Sequence, residues 1–453
     1  MKKTAREVAL SLRDDPRFLS GITAWHHIPA SEGDYRPLPD GIHPSLVSAL
    51  GAKGIQRLYS HQREAHDALL TGSSVCVVTP TSSGKTLCYN LPVLDAVLKD
   101  PESRAMYIFP TKAMAQDQLA EMSELALKGD FTLRSYTFDG DTPSQTRRLA
   151  KDVGQVIITN PDMLHQAILP HHPTWVKLFS GLKFVVIDEM HGYRGVFGSH
   201  VANVLRRLKR IAAFYGSYPQ FILASATIAN PEELASTLIQ DEVALIHKNG
   251  APTSEKEMVF YNPPALTPDG SVRAPVIDTA AKIASRFIAA DVQTIVFAKS
   301  RVSVELLVQY LRGSYKERME KDRIQGYRGG YLPKERRAIE RGLREGKIVG
   351  VATTNALELG IDIGNLECAV LAGYPGTIAS TWQQAGRAGR RSGGSVSILV
   401  GGAGPLDQFI VNNPDYFFEE GAEYGLVNPE NPYIFGEHIK CAAYELPFKD
   451  ESD

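Results

Sequence analysis

At residues 183–195 the chain reads "KFVVIDEMHGYRG". The apolar run 184–187 stops at Asp188 and Glu189, and His191 follows two places on. Two acids and an imidazole at the end of a buried strand can ligate a metal, trade protons, or complete a phosphate site whose Mg²⁺ needs a carboxylate. Residues 79–86, "TPTSSGKT", favour the last task. They match the phosphate-loop pattern except that Thr79 stands where the first glycine is usual. The small residues Ser82, Ser83 and Gly84 let backbone N–H groups turn inward around phosphate oxygens, with Thr81 beside them in the nucleotide site, and the following helix N-terminus adds partial positive charge. Lys85 would reach the β- and γ-phosphates, and Thr86 and Asp188 would hold Mg²⁺. Glu189 is then placed to orient and deprotonate the attacking water. A zinc or iron site on Asp188, Glu189 and His191 is the competing reading; it lacks further ligands at a recognisable spacing. His191 is read as bonding the "SAT" segment, Ser225 to Thr227, and passing nucleotide state to it. A satisfied, partly buried histidine is the plainer alternative.

Far downstream, "QQAGRAGRR" (383–391) places Arg387 and Arg390 three apart, on one face if the segment is helical. Arginines so spaced can act as fingers on a γ-phosphate, donated from another lobe. A solvated basic turn is the bland alternative.

Strands and helices must position these groups. Apolar runs recur at 75–79, 106–109, 156–159, 184–187 and 221–224. They are continuous rather than alternating, as expected of parallel strands covered on both faces. Helical spacing lies between them, as in Ala115, Leu119, Met122 and Ala126, or Val201, Leu205, Leu208 and Ala212. The second helix carries Arg206, Arg207, Lys209 and Arg210 elsewhere on its surface. Strands alternating with helices predict an α/β domain with a parallel sheet. A polar motif follows each of the five strands, "PTSSGKT", "PTK", "NPDM", "DEMH" and "SAT", and such sheets bind ligands beyond their strands' carboxyl ends. A second series, at 294–298, 348–352, 368–371 and 396–400, follows a Pro-, Gly- and Ser-rich stretch and looks like a second copy of the architecture.

With 453 residues the chain exceeds one ordinary core. At 43% hydrophobic and 22% charged it reads as globular, and Lys+Arg 49 against Asp+Glu 51, net −2, leaves any nucleic-acid binding to a local basic surface. Arg6, Glu7 and Arg13 interrupt any signal-like apolar region, and no apolar run is long enough for a membrane span. Cys76, Cys88, Cys368 and Cys441 are too scattered for a disulfide framework or a zinc site within this chain. A cytosolic protein is expected.

Together the motifs resemble the superfamily-two helicases of the D-E-x-H type. The resemblance adds a glutamine motif ("LYSHQ", Gln62), "FPTKAMAQDQ", "TNPDML", "IVFAKSR", "TTNALELGIDIG" and "QQAGRAGRR", and covers most of the chain. Longer strings, "LPHHPTWV", "YRGVFGSHVANVLRRLKR", "RGGYLPKERRAIERGLREG" and "CAAYELPF", are similar to the bacterial mitomycin-repair (MrfA) group, whose wider relatives are RecQ-like repair helicases. The resemblance implies two tandem RecA-like parallel-sheet lobes with the ATP site in the cleft between them. It implies an N-terminal extension at 1–55, lobe one at 56–248, a linker at 249–275, lobe two at 276–420, and the start of a C-terminal region at 421–453. Gln62 and Asp362 would join the nucleotide site, and Gln383 would join Arg387 and Arg390 in catalysis. Single-stranded DNA would be gripped through its backbone by Thr111, Lys112, Asn160, Asp162, Ser300, Arg301, Arg328, Thr353 and Thr354.

The implied activity is an ATP- and Mg²⁺-dependent DNA helicase, without zinc in this chain, moving 3′ to 5′ and serving repair of crosslinked or adducted DNA. A cytoplasmic, nucleoid-associated monomer acting on single-stranded or tailed DNA, away from membranes, is expected. An RNA helicase, or a nucleotide-gated clamp that does not unwind, are the alternatives. The group's members continue into a four-cysteine metal-binding domain, so this chain reads as the helicase core alone.

Overall fold

In the computed structural model, which describes residues 3–268, 272–314, 322–358, 364, 366–389, 394–419 and 421–449, the nine apolar runs form strands. The chain divides into two compact units. The first lobe is Gly33–Ala251 with Tyr424–Asp453, and the second is Met1–Glu32 with Pro252–Glu423.

Strand β1 (Ile22–Ile28) belongs to the second lobe, while β2 (Tyr35–Pro37) and β3 (Arg57–Tyr59) form a small antiparallel pair in the first. The main sheet of the first lobe comprises β4 (Ser74–Val78), β5 (Arg104–Ile108), β6 (Ser135–Thr137), β7 (Val156–Thr159), β8 (Leu182–Ile187), β9 (Gln220–Ser225) and β10 (Val243–Ile246). Its order is β10-β4-β9-β8-β5-β7-β6, parallel throughout. Helices cover both faces, so no strand needs a polar side: every residue of β5 and β7 is buried. Cys76, Met106, Ile157, Val185 and Leu223 face one core, with Trp175 and Phe179 packed among them. Each such buried aliphatic side chain contributes about 1.5–3 kcal/mol. The five strands that carry polar motifs, β4, β9, β8, β5 and β7, are consecutive in the sheet, so their motifs share one edge.

The second lobe adds β11 (Lys256–Tyr261), β12 (Thr294–Ala298), β13 (Ile324–Tyr327), β14 (Gly350–Thr353), β15 (Cys368–Ala372) and β16 (Ser395–Val400). The order is β1-β11-β16-β15-β12-β14-β13, with β1 alone antiparallel to its neighbour.

Three boundaries differ from expectation. Residues 249–275 are more than a linker: they contain β11, whose "KEMVFY" run lies between Pro- and Gly-rich flanks that dominate the sequence pattern. Residues 1–32 are part of the second lobe rather than an appendage. The helix Ala5–Arg13, closed by a Thr4–Glu7 capping box, buries Ala5, Val8, Ala9 and Leu12, and β1 pairs with β11. There the buried Glu257 carboxylate accepts from Trp25 Nε1 (2.8 Å) and pairs with Arg6 Nε (3.0 Å). Residues 424–449 fold onto the first lobe, where the helix Pro432–Glu445 packs against the helix Gly195–Phe214. Arg207 is therefore buried rather than displayed: its guanidinium donates to both oxygens of Glu445, with Nε at 2.9 Å.

Candidate nucleotide site and strand-end motifs

Between β4 and the helix Thr86–Lys99 the loop turns through Ser82 (φ 65°) and Gly84 (φ 79°). Glycine takes that conformation freely; for Ser82 it costs roughly 1–3 kcal/mol that its surroundings must supply. The hydroxyls of Thr79 and Ser83 lie 2.6 Å apart, and Lys85 Nζ donates to the carbonyls of Thr79 (2.7 Å) and Pro80 (2.9 Å). Gln62 clamps the loop from outside, accepting from Tyr59 N at Oε1 and donating from Nε2 to Gly84 O, both at 2.9 Å. Burial lowers the Lys85 pKa, against the opposing pull of Glu189 and then Asp188. Thr81 and Thr86 are half-buried at the rim.

At the end of β8, Asp188 Oδ2 accepts from Tyr89 OH (2.9 Å) and Oδ1 from Glu189 N (2.8 Å). Burial, then the neighbouring Glu189 carboxylate, push Asp188 upward. Glu189 has left-handed backbone angles (φ 51°, ψ 43°), the kind of strain that persists where a side chain must be aimed. His191 Nδ1 lies 3.3 Å from Ser225 Oγ and 3.4 Å from Glu189 Oε2, so the ring touches both strand ends. Burial pushes this histidine down to about 4. Thr227 is exposed while Ser225 is fully buried. Tyr89 and His61 did not stand out in the sequence, because an aromatic residue on an apolar helix and a histidine beside a glutamine motif carry no chemical signature of their own.

The donor set suits Mg²⁺: a hydroxyl at Thr86 and a carboxylate at Asp188 are hard oxygen ligands beside a loop shaped for phosphate. Among the described residues no three His, Cys, Asp or Glu side chains gather as ligands, so the zinc or iron reading of 188–191 has no geometric support.

The other first-lobe motifs cap helices. Thr111 Oγ1 accepts from Met114 N (3.3 Å) and Asn160 Oδ1 from Met163 N (2.9 Å). Lys112 Nζ pairs with Asp141 (2.7 Å), and Asp162 is exposed.

In the second lobe Ser300 and Arg301 are exposed at the start of the helix Arg301–Ser314, and Arg328 pairs with Glu305 at 3.0 Å. Thr353 is a correction. It is fully buried, and its hydroxyl donates to Thr354 O, so Thr354 is the accessible member of the pair. Arg387 is another. The helix Ile378–Ala385 stops short of it, with Gly386 at its cap and Gly389 at φ 89°, so it does not lie on a helical face. It is buried, with Nε donating to Glu358 O at 2.9 Å. Gln383 is buried in that helix; Gln384 Nε2 donates to Glu358 Oε2 (2.9 Å). Asp362 and Arg390 lie outside the described residues.

The model for the DEAD/DEAH box helicase domain matches residues 59–234, and that for the helicase conserved C-terminal domain matches 279–392, together more than half of the chain. A Bacillus subtilis protein described as an uncharacterized ATP-dependent helicase, YprA, is 51% identical over 100% of this chain and 60% of its own length. The ATP-dependent helicase hrq1 of Schizosaccharomyces pombe is 39% identical over 95% of this chain and 41% of its own. The crystal structure of the DUF1998 helicase MrfA bound to DNA and AMPPNP superposes with a TM-score of 0.93 at 52% identity, covering 98% of this chain and 62% of that one. This chain thus spans less than two thirds of each of these relatives.

Proposed function

We propose, from the premise that this chain belongs to the superfamily-two helicases of the DEAD/DEAH-box type, that it couples ATP hydrolysis to movement along single-stranded DNA. One observation carries the reading: Lys85, Asp188 with Glu189, and Ser225 with its bond to His191 stand at the ends of three consecutive strands, β4, β8 and β9.

Lys85 exchanges its two loop carbonyls for β- and γ-phosphate oxygens. Thr86 and Asp188 would hold Mg²⁺, which would supply charge neutralisation when bound. Glu189 accepts the proton of the attacking water, its aim fixed by the left-handed backbone. Phosphoryl transfer asks the protein mainly for position and neutralising charge, and Arg390 supplies more of that charge, while Arg387 braces the segment that carries it through Glu358 O. His191 and Ser225 relay the change to the β9 loop. Thr111, Lys112, Asn160, Ser300, Arg301, Arg328 and Thr354 hold the strand by its sugar-phosphate chain, without reading bases.

DNA is favoured over RNA because the MrfA structure, at 52% identity, is bound to DNA. Movement from 3′ to 5′ and a role in repairing crosslinked or adducted DNA rest on the resemblance to the mitomycin-repair group.

Glu189→Gln tests the reading, since it keeps shape and hydrogen bonding but cannot take a proton. It is expected to bind ATP and single-stranded DNA while losing turnover by about a hundredfold or more. Turnover near the parent rate would assign water activation elsewhere. Strand displacement on 3′- and 5′-tailed duplexes measures direction.

A further inference from the structure

The chain passes between its lobes three times, where Glu32 meets Gly33, where Ala251 meets Pro252 and where Glu423 meets Tyr424. The first two of these crossings run side by side. Ser31 and Thr253 exchange both backbone hydrogen bonds (2.9 and 3.1 Å), and Asp34 N donates to Gly250 O at 2.8 Å. Asp34 O in turn accepts from Ser60 N at 2.8 Å, which leads into the glutamine-motif helix Ser60–Leu70. Gly250 is packed so tightly there that a Cβ would come within 2.2 Å of Ser60 Oγ.

The next residue of that helix is His61, fully buried. Gly250 N donates to His61 Nδ1 at 3.1 Å. An accepting Nδ1 leaves the ring proton on Nε2. That N–H is buried and has no hydrogen-bond partner of good geometry. The Ser83 backbone bonds weakly to the ring and the Lys85 ammonium acts on it by charge, so this edge is turned to the phosphate loop. Burial first, and Lys85 second, push its pKa down to about 4, so the ring is neutral at ordinary pH. A buried N–H held in poor geometry is unfavourable, so a small movement of the loop that brought a carbonyl into line would be favoured.

We propose that His61 is a positioning residue that joins the phosphate loop to the paired crossings, so that phosphate entering the loop is registered at Gly250. The ring is the mechanical link: one nitrogen holds Gly250, beside the crossing at Ala251, and the other faces the phosphate loop. The inference rests on the nucleotide-site reading, but the test separates the two.

The test is amide hydrogen exchange on the full 453-residue chain, with and without saturating AMPPNP and Mg²⁺, followed in peptides covering 79–86 and 247–253. Both peptides are expected to slow in the wild-type protein, residues 247–253 by about fivefold or more, the low end of measured coupling factors. His61→Asn places an amide oxygen where Nδ1 accepts from Gly250 but ends short of the loop. It is expected to keep the slowing at 79–86 and to lose it at 247–253. Slowing at 79–86 alone in the wild-type protein overturns the link while leaving the nucleotide site intact. Slowing of both peptides in His61→Asn also overturns it. No slowing in either wild-type peptide removes the nucleotide-site reading, and the link with it.

Discussion

Lys85 is half-buried and holds two carbonyls of its own loop, at 2.7 and 2.9 Å. Lys85→Ala should abolish ATP turnover while the protein stays folded, its melting temperature lowered only by the loss of two loop hydrogen bonds, about 1 kcal/mol each. Turnover at the parent rate would remove the phosphate-site assignment. The two arginines should separate by a different measure. Arg387 is built into its lobe through the Glu358 carbonyl, and deleting it strands a buried acceptor at a cost of about 1.5–3 kcal/mol. Arg387→Ala should thus lower the melting temperature as well as the rate. A finger acting only on developing charge loses roughly a thousandfold or more in turnover and little nucleotide affinity, which is the expectation for Arg390→Ala. Equal losses of binding and turnover would give Arg390 a structural role instead.

The helix Pro432–Glu445 is held to the first lobe by polar groups as much as by apolar ones. Arg207 Nη1 donates to His165 Nδ1 (2.8 Å) and to His438 Nδ1 (3.1 Å). His438 therefore carries its proton on Nε2 and donates it to His200 Nδ1 at 3.0 Å. Burial, then Arg207, His165 and His200, push His438 down to about 4. The folded state thus binds this proton less readily than the unfolded chain, whose histidine titrates near 6.5. The stability contributed by a neutral His438 is complete above about 6.5 and is lost as pH falls from there toward 4. Melting temperature should drop over that window, and less steeply in His438→Gln; identical slopes would mean the ring is not held neutral. None of this network is legible in the sequence, because its members lie far apart in the chain and Arg207 sits among three other cations that read as a solvated face. What is legible follows from locality. Parallel strands announce themselves as unbroken apolar runs, and the strand-end motifs sit beside them, so the first-lobe edge could be drawn in advance. β11 and β1 could not, because Pro and Gly flank one and the other has no fully buried residue and no regular burial period on its antiparallel edge. Thr353 and Arg387 show the same limit at side-chain scale: a motif gives a residue's place in the chain, while burial decides which atoms can reach a ligand.

Across the whole chain a net charge of −2 supplies no broad field to draw in DNA, so affinity must come from a few local phosphate contacts. Of the cations at the strand-end motifs, Lys112 is paired with Asp141 and Arg328 with Glu305, leaving a modest set to displace counterions. If roughly three phosphates are neutralised, the logarithm of affinity for single-stranded DNA should fall against the logarithm of salt with a slope of about −2. The Bacillus subtilis relative, of which this chain matches 60%, has further length that can extend the path of the strand and add contacts. Its affinity should be higher and its slope steeper. Turnover is a different matter. Both helicase domain models and the nucleotide motifs fall within 59–392, so this chain should hydrolyse ATP in response to single-stranded DNA by itself. Separating a duplex asks more than translocation, because something must split base pairs ahead of the moving lobes, and in the proposed reading the motifs are assigned to the nucleotide and the sugar-phosphate chain. The 453-residue chain should therefore show DNA-stimulated ATPase activity with slow strand displacement, whereas the longer relative should do both. Measuring the two activities side by side, at matched salt and equal saturation with DNA, decides the matter. Equally fast unwinding by the two proteins would place duplex separation within these lobes, and equal salt slopes would mean the additional length touches no phosphate.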